Sequence, residues 1–160
     1  MGEGYSMLGF VVIVILYAVI GLLAAAGAIS IGRKIFAPKA EQIFYAIFLI
    51  MIAAFYLAFT AYFGVATAWR LETAAVVAFV AISLLGVRLP FALIAGYSLH
   101  GLWDVLHELQ AHGAYAAFEP GRLTAIPLAY GVFCLAFDFS VAAYFYTRRA
   151  AWNAVRESGS

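Results

Sequence analysis

All three histidines of this sequence fall between His100 and His112, with Trp103, Asp104 and Glu108 interleaved among them. At about 100° per helical residue, Asp104 lies about 40° to one side of His100 and His107 about 20° to the other. His100, Asp104 and His107 therefore form one axial stripe, spaced i, i+4 and i+7, whose side chains can meet. Trp103 sits about 60° from His100 on the His107 flank. His112 lies about 120° off the stripe, where the membrane surface is expected. Gly96 extends the stripe and lets a neighbouring helix or a ligand come close.

Three chemistries suit these residue types. Neutral imidazoles and carboxylates at this spacing can converge on zinc or iron, with another carboxylate from a second helix. The metal ligands read this way are His100, Asp104, His107 and Glu72. Alternatively, a His–Asp pair moves a proton on a hydrophobic substrate without a metal, and His100, Asp104, His107 and Asp138 are the candidate catalytic groups. The third reading is a proton or ion path through the same residues. Spacing alone leaves the three open, beside a purely structural role in which His100–Asp138 and Asp104–His107 clamp helices together. Trp103 and Tyr97 are expected to contact whatever is bound. Tyr45, Tyr56, Tyr62 and Tyr130 read mainly as interior or interfacial aromatics.

Several other chemistries fail on spacing. His107-Glu108 with His112 is one residue too long for H-E-x-x-H, which swings the second imidazole about 140° from the first. There is no G-x-S-x-G and no phosphate-binding glycine loop. Lys34 and Lys39 lie in a loop, which excludes a retinal Schiff base on the last helix. Bis-histidine haem ligation needs two helices, and every histidine is on or just beyond one. Cys134, the single cysteine, rules out an intrachain disulfide and reads as a small buried hydrophobe. A net charge of +1 gives no basic face for nucleic acid.

The elements that must position the stripe are set by hydrophobic length. Hydrophobic residues make up 67% of the chain and charged ones 11%, against roughly a quarter charged in an average soluble domain. They are gathered in blocks of about 20, the length that crosses the roughly 30 Å hydrocarbon core of a bilayer. With no water there to satisfy the backbone, such blocks must be helical. The expectation is one all-α membrane domain over 1–160, a bundle of about five transmembrane helices. Its spans are at about 7–31, 41–63, 69–86, 90–110 and 127–147.

Gly32-Arg33-Lys34 closes the first span, Glu41 suits the N-terminus of the second, and Pro90 the first turn of the fourth. Alternation of the spans gathers Arg33, Lys34, Lys39, Arg88, Arg148, Arg149 and Arg156 on one side, against Arg70 and Arg122 on the other. The positive-inside rule then puts the N-terminus outside and the C-terminus in the cytoplasm. The pattern Met1-Gly2-x-x-x-Ser6 has the shape of a myristoylation signal, but this topology leaves it outside. No cleaved signal peptide is expected, because the first apolar block is too long and no basic segment precedes it.

Depth follows from the rise of about 1.5 Å per residue. His100 falls about 15 Å along the helix from Pro90, and Asp138 about 16 Å from Pro127 on the returning helix, so both lie near the midplane. Glu72 is expected at the outer rim of the same region. An ionisable group at that depth costs roughly 2.5–3.5 kcal/mol on insertion scales, so these groups should face inward and pair.

The motif His100-x-x-Trp103-Asp104-x-x-His107 resembles that of a group of small bacterial integral membrane proteins of unassigned function. The likeness extends over the whole span pattern. It implies a multi-pass protein of the bacterial inner membrane with a site at His100, Trp103, Asp104 and His107, and it implies no substrate. A looser likeness is to membrane hydrolases with zinc held by histidines and an aspartate, but their H-x-x-x-H pair is lacking here. The function expected is a small membrane protein with an intramembrane His/Asp site. It binds zinc or iron or no metal, acts on or binds a hydrophobic small molecule or lipid, and has room for a homodimer. The alternative is a proton or ion path, or a non-enzymatic subunit of a larger membrane complex.

Overall fold

Proline and glycine punctuate the chain where the helices begin and end. The structure, a computed structural model, describes residues 7–111 and 118–158, with side chains described to residue 154. The Met1–Ser6 pattern, His112 and Gly113 lie outside the described residues. The helices are α1 (Met7–Ile35), α2 (Pro38–Phe63), α3 (Trp69–Gly86), α4 (Pro90–Ala111) and α5 (Tyr130–Ser158), with a 3-10 turn at Ala66–Ala68 before α3. No strand occurs among the described residues. Pro38 sits in the first turn of α2, where its missing N–H costs nothing. Gly64 closes α2 at φ 68°, the left-handed conformation that glycine adopts without strain.

Several boundaries differ from those read off hydropathy. The basic run Arg33-Lys34 stays helical inside α1, α2 starts at Pro38 and takes in Lys39, which is helical rather than in a loop, and α5 starts at Tyr130 rather than Pro127 and continues to Ser158. A helix extends past the apolar block as far as backbone hydrogen bonds allow, so polarity marks the membrane edge and not the helix end.

Four helical segments are long and apolar enough to cross a membrane: α1, α2, Ala66–Gly86 and the Tyr130–Ala154 part of α5. The fourth helix falls outside that group because His100, Asp104, His107 and Glu108 lower its hydropathy. Their arrangement is the inverse of a soluble helix. His100, Asp104, His107 and Glu108 are buried, whereas Phe91, Leu99, Leu102 and Leu109 are exposed. That is the pattern a helix takes when its surroundings are apolar and its neighbours supply the polar partners.

Contacts at the helix ends fix an up-and-down order. At one end Lys39 donates to the Val87 carbonyl and Gln42 Nε2 to the Gly86 carbonyl at 2.7 Å. Glu41 accepts there from Arg148 Nε at 2.8 Å, from Trp152 Nε1 at 3.1 Å and from Tyr144. At the opposite end Thr67 Oγ1 donates to the Gly121 carbonyl at 2.6 Å. The α1–α2 turn, the α3–α4 turn and the later part of α5 thus share one end. The most extensive packing is α4 on α5, followed by α1 on α5 and α2 on α3. Between them Tyr45, Leu49, Tyr97, Phe145 and Trp152 form the fully buried centre. α1 lies at the periphery, its crossing with α5 tight at Gly21, where a Cβ would come within 2.4 Å of the Phe133 carbonyl oxygen.

Candidate functional site

The buried stripe of α4 meets partners from three other helices, and it does so as two separate clusters. In the first, His100 Nδ1 lies 2.8 Å from Asp138 Oδ2 on α5 and 3.0 Å from Asp104 Oδ2 one turn along α4. Tyr56 of α2 donates its hydroxyl to Asp104 Oδ1, and the Phe79 ring of α3 stands edge-on to the imidazole at 5.1 Å. These are the only two aspartates in the sequence, and the fold brings both to one histidine. His100, Asp104 and Asp138 each offer one ligand atom within 4.8 Å of the others.

An imidazole has one Nδ1 proton, which can serve one carboxylate. Here it lies on Asp138, so Asp104 Oδ2, although within ion-pair distance, has no hydrogen bond. His100 Nε2 and Asp138 Oδ1 are likewise buried without a hydrogen-bond partner among the described residues. Three donor or acceptor atoms of this cluster are thus unsatisfied, each costing on the order of 1–3 kcal/mol if it stays unmet.

The second cluster lies one to two turns further along α4. His107 Nδ1 is 2.9 Å from the Trp103 carbonyl and Nε2 is 2.9 Å from Glu72 Oε1 on α3. The Thr124 backbone N–H also donates to Glu72 Oε1, at 2.8 Å. Because Nδ1 faces a carbonyl, it carries a proton, and one further proton lies between Nε2 and Glu72. The pair is neutral overall wherever that proton rests. The Tyr56 ring lies tilted against that of His107, 4.3 Å between centroids, so a single tyrosine touches both clusters. Trp103 is edge-on to His107 at 5.3 Å, and its Nε1 is buried without a hydrogen-bond partner among the described residues.

The residues expected to share one metal are therefore divided. His100 and Asp104 stand with Asp138, whereas His107 and Glu72 face each other with both imidazole nitrogens engaged. The structural alternative of an Asp104–His107 clamp is corrected in the same way: Asp104 turns to His100 and Tyr56. Tyr97 is fully buried and its hydroxyl donates to the Tyr45 carbonyl at 2.9 Å, within the aromatic core, which occupies it structurally. The physical reason is helix rotation. The i, i+4, i+7 stripe is real, but α5 brings its carboxylate to His100 and α3 brings its own to His107.

Two residues that sequence reasoning passed over matter here. Tyr56 lies on the α2 face that also carries Glu41, Tyr45, Ala53 and Thr60, all buried. That near-i+4 recurrence of small and polar residues in an apolar helix was the available signal. Glu108 is buried and accepts from the backbone N–H groups of Ala129 at 3.1 Å and Gly131 at 2.9 Å. A carboxylate there meets the orphan donors and the positive end of the α5 dipole. It also locks α5 onto α4. Gly131 permits the contact: a Cβ there would fall 2.5 Å from the Asp104 carbonyl oxygen and 2.8 Å from Glu108 Cβ.

A family model described as a family of unknown function, DUF6010, matches residues 13–151. That is most of the chain, and the chain belongs to this family. No curated protein and no solved structure matches it.

Proposed function

We propose that this member of a family of unknown function is a five-span bacterial inner-membrane protein whose His100, Asp104 and Asp138 bind a metal ion, with zinc or iron the fitting choices. In this reading α4 also crosses the membrane, its polar stripe enclosed by α3, α5 and α2. The site would act on a hydrophobic molecule of the bilayer. One observation carries the proposal: charge balance. The His107–Glu72 cluster compensates itself, but His100 faces two buried carboxylates. With both carboxylates ionised, even a protonated imidazole leaves one negative charge in surroundings that penalise it. A divalent cation held by the two carboxylates and His100 Nδ1, in place of the Nδ1 proton, would remove that charge.

Imidazole and carboxylate donors suit zinc or iron, and either ion bound there would supply Lewis-acid activation of an oxygen atom. The rest belongs to the chain. Tyr56 orients Asp104 through its hydrogen bond, the Phe79 edge fixes the His100 ring, and the packed α4–α5 seam excludes water. Elemental analysis of protein purified in metal-replete medium without a histidine tag tests this. The expected result is about one equivalent in the wild type and loss in His100→Ala and Asp138→Asn. A wild type without stoichiometric metal would sink the metal reading.

A proton path is the second reading, and Tyr56 favours it. Glu72, His107, Tyr56, Asp104, His100 and Asp138 form a contiguous series of titratable groups in contact from one end of the bundle to its middle. Proton uptake into vesicles that Tyr56→Phe abolishes would support it. Uptake equal to that of protein-free vesicles would reject it.

A further inference from the structure

Asp138 has a second neighbourhood, on the side away from α4. A cavity of about 260 Å³ lies between α2 and α5, and Asp138 is part of its wall. The α2 side is Phe48, Ile52, Phe55 and Phe59, and the α5 side includes Phe133 and Phe137. The α2 residues recur at i, i+4, i+7 and i+11, which places them on one face. Phe59 meets Tyr130 at 5.1 Å and Phe48 meets Phe137 at 5.9 Å, so the two walls run antiparallel. From Tyr130 to Asp138 the crevice is about 12 Å long. A neighbouring cavity of about 330 Å³ shares Phe55 and Phe59 and continues to Tyr62 and Pro127.

The α2 wall is wholly apolar, whereas the α5 wall adds Tyr130 and Cys134 and ends at Asp138. That residue keeps Oδ1 buried without a hydrogen-bond partner among the described residues, while Oδ2 is held by His100. A plain hydrocarbon chain could fill the aromatic walls but would leave that oxygen unmet. A cavity of this size holds the volume of roughly nine waters, enough for a head group and the first few carbons. The remainder of a longer chain would follow the second cavity. Both walls belong to helices apolar enough to cross a membrane.

We infer that the α2–α5 crevice binds a bilayer-borne hydrophobic molecule carrying a single hydrogen-bond donor, with a long-chain alcohol as its simplest form, whose hydroxyl donates to Asp138 Oδ1. The inference deepens the function proposed above, because Asp138 belongs to both sites, but the crevice does not need the metal. A molecule seated this way has its oxygen on the carboxylate whose other oxygen holds His100, which makes the hydroxyl-bearing end the one nearest the His/Asp cluster.

The test uses the full chain in phosphatidylcholine vesicles with a diazirine-bearing, alkyne-tagged hexadecanol. Its methyl ether, which lacks the donor, is the comparison probe. After illumination, mass spectrometry should find the alcohol on the α2 and α5 crevice residues, about tenfold over the ether, the order of discrimination a hydrogen bond to a charged group gives. Unlabelled hexadecanol should compete and hexadecane should not. Ile52→Trp, which fills the crevice, should remove the label, and Asp138→Ala, which removes the acceptor, should erase the preference for alcohol over ether. Equal labelling by the two probes, or label spread over the exposed face of α1, overturns the inference. The two proposals fail separately. A metal-free protein that labels saturably in the crevice keeps this inference and loses the metal, and a metal-loaded protein without crevice labelling does the reverse.

Discussion

His107 and His100 sit two turns apart on one stripe of α4, yet their partners give them different work. Both nitrogens of His107 are engaged, and its proton count is balanced by Glu72. Removing the imidazole leaves Glu72 buried opposite nothing but the Thr124 N–H. Breaking a buried pair by deleting one partner costs about 3–5 kcal/mol in soluble proteins. His107→Ala should therefore lower the thermal unfolding midpoint strongly in detergent while the metal content of the folded fraction matches the wild type's. His100→Ala should show the opposite balance, because it removes the one group held between two carboxylates. Loss of metal from folded His107→Ala would place His107 in the metal site. Tyr56 tests the link between the clusters: Tyr56→Phe removes a donor from Asp104 and should cost about 1.5–3 kcal/mol, the range for a hydrogen bond to a charged group.

Glycine spacing decides how close the helices come. The α4–α5 seam depends on Gly131, where the peptide backbone of one helix lies against the other with no room for a methyl group. Gly131→Ala must push α5 away from Asp104 and Glu108, at a cost of about 1–3 kcal/mol as for other overpacked cores. Because α5 also carries Asp138, the same change should reduce metal content or crevice labelling. Gly27 of α1 is the matched control, since a Cβ there meets nothing within 4 Å. Gly27→Ala should be neutral or stabilising by about 0.5–1 kcal/mol, through helix propensity alone. Unfolding midpoints of the two variants check the contrast, and a Gly131→Ala protein as stable as wild type would mean the seam is loose.

For the molecule as a whole, the contacts at the helix ends tie the α1–α2 turn to the α3–α4 turn and to the later part of α5. The sequence collects seven of its nine basic residues in those segments. The positive-inside rule then predicts a cytoplasmic C-terminus. Alkaline phosphatase fused at Ser160 should be inactive, and a cytoplasm-active reporter at the same position active. Strong phosphatase activity would invert the molecule and put the Glu72–His107 end in the cytoplasm. The exposed aliphatic face of α1 and the outward Leu99 and Leu102 of α4 fit hydrocarbon on either orientation.

The sequence by itself determined the helical class and the stretch of α4 that carries the buried His/Asp groups. Both depend on local quantities. Apolar block length is compared with bilayer thickness, and the 3.6-residue period puts His100, Asp104 and His107 on one stripe. Rise arithmetic likewise put His100 and Asp138 at one depth, where their side chains meet at 2.8 Å. Only the tertiary structure decided who partners whom. Asp104 takes Tyr56 from α2, His107 takes Glu72 from α3, Asp138 reaches His100 from α5, and Glu108 caps α5. A helix turns about 100° with each residue, so a small difference in how neighbouring faces pack reassigns every partner without changing any depth. That rotation is set by long-range contacts such as Gly131 against Asp104, which no local pattern in the chain encodes.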